Sequence, residues 1–169
     1  IIKKTWNGKE TLTLTFSDSP HLIDRPWNLK AIEWGPLVFS LPIQAKYHKR
    51  EYEKDGVERK APYCDYELEP TSDWRFGFAD GTLEVNEYGP GDIPFSSENP
   101  PVAIQCQVAP IEWEWADGYD TVPAASPTNR KAIGEPISMC LIPYGCAKLR
   151  ITEMPVAEMC HGGWKRYSM

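Results

Sequence analysis

Val102-Ala103-Ile104-Gln105-Cys106-Gln107-Val108 decides the reading of this chain. Val102, Ile104, Cys106 and Val108 fall on one side of a period of two, and Gln105 and Gln107 fall on the other. That alternation is the signature of a strand with one face on a core. Working outward, Ile137-Ser138-Met139-Cys140-Leu141-Ile142 and Lys148-Leu149-Arg150-Ile151-Thr152-Glu153 read as two further strands. Pro143-Tyr144-Gly145-Cys146-Ala147 joins them as a structural turn. Pro143 removes a ladder donor there, and Gly145 is expected to supply a positive φ. Leu37, Phe39 and Leu41 alternate between Gly35-Pro36 and Pro42, and Leu12, Leu14 and Phe16 alternate with Thr11, Thr13 and Thr15. Asp80-Gly81 is the dipeptide favoured in tight hairpins, so Trp74–Ala79 is expected to pair with Thr82–Glu87.

No window sustains the i, i+3, i+4, i+7 apolar spacing of a long helix. Lys46–Lys60 is highly charged and is expected to be an irregular, solvated connection. Asp117–Gly134, rich in Pro, Ala, Ser and Thr, reads as a long surface loop. Strands punctuated by Gly and Pro imply an all-β fold, an antiparallel two-sheet β-sandwich of jelly-roll or immunoglobulin-like topology with long irregular loops. Residues 1–169 suit a single sandwich domain. The start at Ile1-Ile2-Lys3-Lys4 suggests a fragment of a larger multidomain protein.

The net charge of −6 argues against a nucleic-acid partner, which would call for a basic face. No apolar run approaches the roughly 20 residues of a membrane-spanning helix, so no membrane partner is expected. The five cysteines, Cys64, Cys106, Cys140, Cys146 and Cys160, include no Cys-x-x-Cys pair. They read as buried free thiols, which fit a cytoplasmic home slightly better than a secreted one. A metal site from Cys140, Cys146, Cys160 and His161 is the alternative. We set it aside because neighbouring ligands alone do not fix a tetrahedral site. No cofactor is expected.

Glu112 and Glu114 alternate with Trp113 and Trp115, and Asp117 and Asp120 follow. Paired carboxylates beside an aromatic platform are the equipment of glycoside hydrolysis. The same spacing describes a solvated acidic face opposite two buried indoles, and we favour that reading over catalysis. Flat indole faces also stack on sugars, so Trp113, Trp115, Glu112 and Glu114 form a candidate carbohydrate-binding set. None of the three histidines, His21, His48 and His161, stands in a recognised nucleophile motif. Gly89-Pro90-Gly91-Asp92 is a turn rather than a phosphate cradle, because Pro90 lacks a donor N–H.

Three segments taken together resemble a known family: Gly35-Pro36-Leu37-Val38-Phe39-Ser40-Leu41-Pro42-Ile43, then Ser72-Asp73-Trp74-Arg75-Phe76-Gly77-Phe78, then Leu141-Ile142-Pro143-Tyr144-Gly145-Cys146-Ala147-Lys148-Leu149-Arg150-Ile151-Thr152. They are similar, in the same order, to parts of the non-catalytic region of the β-L-arabinofuranosidase-like glycoside hydrolases. The resemblance spans roughly residues 12–155, and its last segment is the most specific. It implies that a helical barrel elsewhere in such a protein holds the active site, with a glutamate as acid/base and a zinc-bound cysteine as nucleophile. This chain resembles one of the β-sandwich domains that follow the barrel. It has no counterpart of the catalytic glutamate or of the barrel's cysteine cluster, and the nucleophile role does not transfer to Cys146. The implied function is an accessory domain that packs on the catalytic barrel and supports it. The alternative is a carbohydrate-binding module using exposed Trp residues.

Overall fold

The computed structural model describes residues 3–13, 19–119 and 122–159. Its strands are β1 (His21–Arg25), β2 (Leu29–Trp34), β3 (Leu37–Pro42), β4 (Ala45–Arg50), β5 (Tyr52–Lys54), β6 (Val57–Arg59), β7 (Asp65–Pro70), β8 (Phe76–Phe78), β9 (Glu84–Glu87), β10 (Val102–Pro110), β11 (Ile137–Pro143) and β12 (Arg150–Ile151). Helical structure among the described residues is confined to two 3₁₀ turns, Pro26–Asn28 and Tyr144–Cys146. None is long or apolar enough to cross a membrane. The fold is therefore all-β and antiparallel, as the alternating pattern implies. Of the expected strand Thr11–Phe16, residues 14–18 lie outside the described set, and Thr11–Thr13 are exposed and not in a strand.

The main sheet runs β1-β2-β3-β11-β10-β8, with β12 also on β3 and β9 also on β10. It curls into a half-barrel, sandwich-like, so that its two ends share one core. Ile32 of β2, Phe39 and Leu41 of β3, Phe76 and Phe78 of β8, and Ile104, Cys106 and Val108 of β10 belong to a single buried cluster. Each large side chain buried there contributes about 1.5–3 kcal/mol relative to staying in water. The expected inward set of β10 is buried throughout, with Ile104 and Val108 fully so.

The segment after β12 completes the curl. Lys30 of β2 and Met154 exchange backbone hydrogen bonds of 2.7 and 2.9 Å. Two residues on, Phe78 donates to Pro155 O and accepts from the Ala157 amide, both at 2.8 Å. One short stretch thus bridges β2 to β8 across the open side of the sheet. Gly77 makes room for it: a Cβ there would stand 3.0 Å from Ala157 N and 3.1 Å from Pro155 O.

Three expectations from the sequence need correction. First, β8 and β9 do not form a hairpin. Both run antiparallel to β10 along the same edge, Phe76–Phe78 opposite Val108–Pro110 and Glu84–Glu87 opposite Val102–Gln105. The chain bulges at residues 79–83 and continues in the same direction. Gly81 serves by lacking a Cβ, which would press on Gln107 Cγ at 2.7 Å. Second, Lys46–Lys60 is not irregular. β4 pairs with β7 over Ala45–Arg50, and β5 pairs with β6 beyond it. Third, Gly145 has no positive φ. The turn is made by the 3₁₀ geometry of Tyr144–Cys146, and β11 and β12 both pair with β3 rather than with each other. Pro143 does end β11, paired with Phe39.

Candidate functional site

The candidate residues lie just past the end of β10, where Ile111 donates to Arg75 O at 3.1 Å and so ties residues 111–115 to the chain before β8. Burial alternates over residues 111–113, with Ile111 and Trp113 buried and Glu112 exposed, but the expected alternation stops there, since Glu114 is half-buried. Trp115 is half-buried as well.

Trp113 is 5% exposed, and its indole N–H donates to Ala124 O at 2.9 Å. Trp74, which sequence reasoning did not single out as a site residue, packs against both tryptophans, with ring centroids 5.9 Å from Trp113 and 5.0 Å from Trp115. The Arg75 guanidinium stands 5.0 Å from the Trp74 ring and 5.3 Å from the Trp115 ring, and its Nε donates to Trp113 O at 3.1 Å. Three indoles, tilted at 55° and 47° across Trp74, and one guanidinium thus form a single cluster. Cation–π contacts of this kind are worth about 0.5–2 kcal/mol each. The only sequence signal for Arg75 in this role is its place between Trp74 and Phe76.

Glu112 and Glu114 share a cleft of about 500 Å³ with Arg75, Thr128 and Asn129. Glu114 Oε1 accepts the Thr128 amide at 2.9 Å. Its own backbone N–H, and then the Thr128 groups, hold the Glu114 carboxyl below the usual carboxylate range. It is an ionised anchor for the loop over residues 122–128, which is also tied down by Ala124 N to Glu114 O at 2.9 Å. A general acid needs the opposite shift, upward toward neutrality.

Of the thiols expected to be buried, Cys64, Cys106 and Cys146 are, whereas Cys140 is exposed, because it sits on the outward side of β11. Burial, with Cys140 nearby, pushes the Cys106 thiol up to about 12. Burial also raises Cys140 and Cys146. Thiols so shifted carry little thiolate at neutral pH. Cys64, Cys106, Cys140 and Cys146 are all free. Among the described residues no three His, Cys, Asp or Glu side chains gather to hold a metal ion, and Cys160 and His161 lie outside those residues. His48 pairs with Glu69 at 2.7 Å on an exposed strand face.

Compared with known proteins, the chain matches no family model, no curated protein and no solved structure.

Proposed function

We propose that this chain is a non-catalytic β-sandwich domain of a glycoside hydrolase-like protein, one that packs on and supports a helical-barrel catalytic domain of the same parent. The supporting observation is the β4–β7 ribbon. Its register places Tyr47 opposite Leu68 and Lys49 opposite Tyr66 on one face, and Lys46–Glu69, His48–Glu67 and Arg50–Asp65 on the other. The charged face satisfies itself, with a His48–Glu69 hydrogen bond and an Arg50–Glu67 ion pair. The aromatic face is covered only in part: Lys148 Nζ stands 6.0 Å from the Tyr47 ring centroid, yet Tyr47 is 49% and Tyr66 38% exposed, edge to face at 6.4 Å. A lone two-stranded ribbon is marginal in water and gains stability when its apolar face meets another surface. Burial against a neighbouring domain is the use such a ribbon suits.

The runner-up reading, a carbohydrate-binding module at Trp113, Trp115, Glu112 and Glu114, draws on the indole cluster and the acidic cleft beside it. Trp115 is the partly accessible indole of that pair. The test of the non-catalytic reading is a panel of aryl glycosides that includes arabinofuranosides. The account predicts no turnover by this chain. Turnover that disappears in Glu112→Gln or Glu114→Gln would overturn it.

A further inference from the structure

The turn between β1 and β2 is built against ordinary backbone preference. Trp27 (φ 56°, ψ 28°) and Asn28 (φ 55°) both occupy the left-handed region. Asn tolerates it, whereas for a residue as bulky as Trp it is strained. Nevertheless the Trp27 side chain gains little burial, since the residue is 64% exposed. The conformation is enforced from far along the chain. Arg130 donates to Trp27 O at 2.7 Å and to Asn28 O at 2.9 Å, and reaches Ser126 Oγ at 3.3 Å. An arginine thus holds a strained turn whose effect is to keep an indole in solvent.

The residues on either side of that turn, Arg25 and Leu29, lie in the wall of a groove of about 710 Å³. Val38, Tyr144, Arg150 and Glu153 also line it. Its volume falls in the range of small-ligand sites. Arg25 Nε donates to Glu153 Oε1 at 2.7 Å, so a donor and an acceptor lie side by side in the wall. Arg150 stacks 3.6 Å from the Tyr144 ring centroid and is fixed by donating to the backbone carbonyls of Ala147 and Lys148. Among the described residues, Arg150 makes no ion pair with an Asp or Glu, while Glu153 is engaged by Arg25. On a chain with net charge −6, the groove carries a pre-positioned, uncompensated cation.

We propose that the groove and the Trp27 turn form a binding site for a carboxylate-bearing saccharide, an oligouronide. The C–H face of a sugar ring suits an exposed indole, and the Arg25–Glu153 pair offers a donor and an acceptor to vicinal hydroxyls. The planar Arg150 guanidinium matches a carboxylate. The proposal takes up the carbohydrate reading in another groove, which shares Trp113 as a wall residue with the cleft of Glu112 and Glu114. It does not depend on the β4–β7 ribbon, which the variants below leave intact.

The test is calorimetric titration of the chain with oligogalacturonates, alginate oligomers and glucuronate-substituted xylo-oligomers, each beside its methyl-esterified form. At least one acid form should bind, and its ester should bind about tenfold more weakly or worse. Trp27→Gly relieves the positive φ, so it should keep or raise the melting temperature while weakening binding by about tenfold or more. Arg150→Gln should abolish the difference between acid and ester. Failure of the whole panel to bind would overturn the proposal, and so would equal affinity for acid and ester. Full affinity in a folded Trp27→Gly variant would also overturn it.

Discussion

Replacing Gly77 by Ala tests whether the segment after β12 closes the curled sheet. Gly77 has no positive φ, so alanine fits its backbone. If nothing packed on it, the substitution would stabilise the chain by about 0.4–1 kcal/mol through the unfolded state. In the fold described, the new Cβ would stand 3.0 Å from Ala157 N, 3.1 Å from Ala157 Cβ and 3.1 Å from Pro155 O. Two of those atoms are backbone, pinned by the two 2.8 Å hydrogen bonds on Phe78, and no flexible side chain can swing clear. Relief requires the closing segment to retreat, which weakens those bonds at about 0.5–1.5 kcal/mol each. It also loosens the fully buried Met154. Overpacking of this kind costs about 1–3 kcal/mol. Urea unfolding of wild type, Gly77→Ala and Gly91→Ala decides the matter. Gly91 has no positive φ and open space around it, so its variant should be neutral or slightly stabilised. A lower midpoint for Gly77→Ala alone supports the closure. Stabilisation of both variants alike would refute it.

Gly145→Ala should change stability by no more than about 0.5 kcal/mol in the same urea experiment, because the added Cβ meets only ordinary contact with Phe95 at 3.6 Å. Glu114→Gln should weaken the loop over residues 122–128 in a pH-dependent way. The folded carboxyl is held below its usual range, so its stabilisation is present above about pH 4.3 and is lost as pH falls through the lower folded pKa. The stability gap between wild type and Glu114→Gln should therefore be widest near neutrality and close in acid. A gap that grew on acidification would contradict the anchoring role.

The parts legible in the sequence are those whose neighbours in space repeat a local pattern. β10 buries its inward set because its alternation is long and uninterrupted, and Leu37–Pro42 carries its own Gly and Pro boundaries. The β4–β7 ribbon escaped because its charges are satisfied across the strand pair by residues such as Glu67 and Glu69, out of sight of any local window. Asp80-Gly81 carries a hairpin signal, but the glycine answers a steric demand from Gln107, and a composition rule cannot tell the two uses apart. The closing segment, Met154–Glu158, is too short and too soon interrupted by Pro155 to read as a strand. At the candidate site, the alternation of Glu112, Trp113, Glu114 and Trp115 was readable, whereas Arg75 and Thr128 enter through contacts made only in three dimensions. The left-handed Trp27 has no sequence signal, since its conformation is imposed by Arg130.

The most direct test of the proposed packing role is amide hydrogen exchange along β4 and β7, in this chain alone and in the proposed longer parent with its helical barrel. Exposed two-stranded ribbons exchange through low-energy local opening. The account predicts fast exchange over residues 45–50 and 65–70 in the chain alone and clear protection of the same amides in the parent, reversed by Tyr47→Ser with Tyr66→Ser. Identical exchange in the two proteins would contradict it.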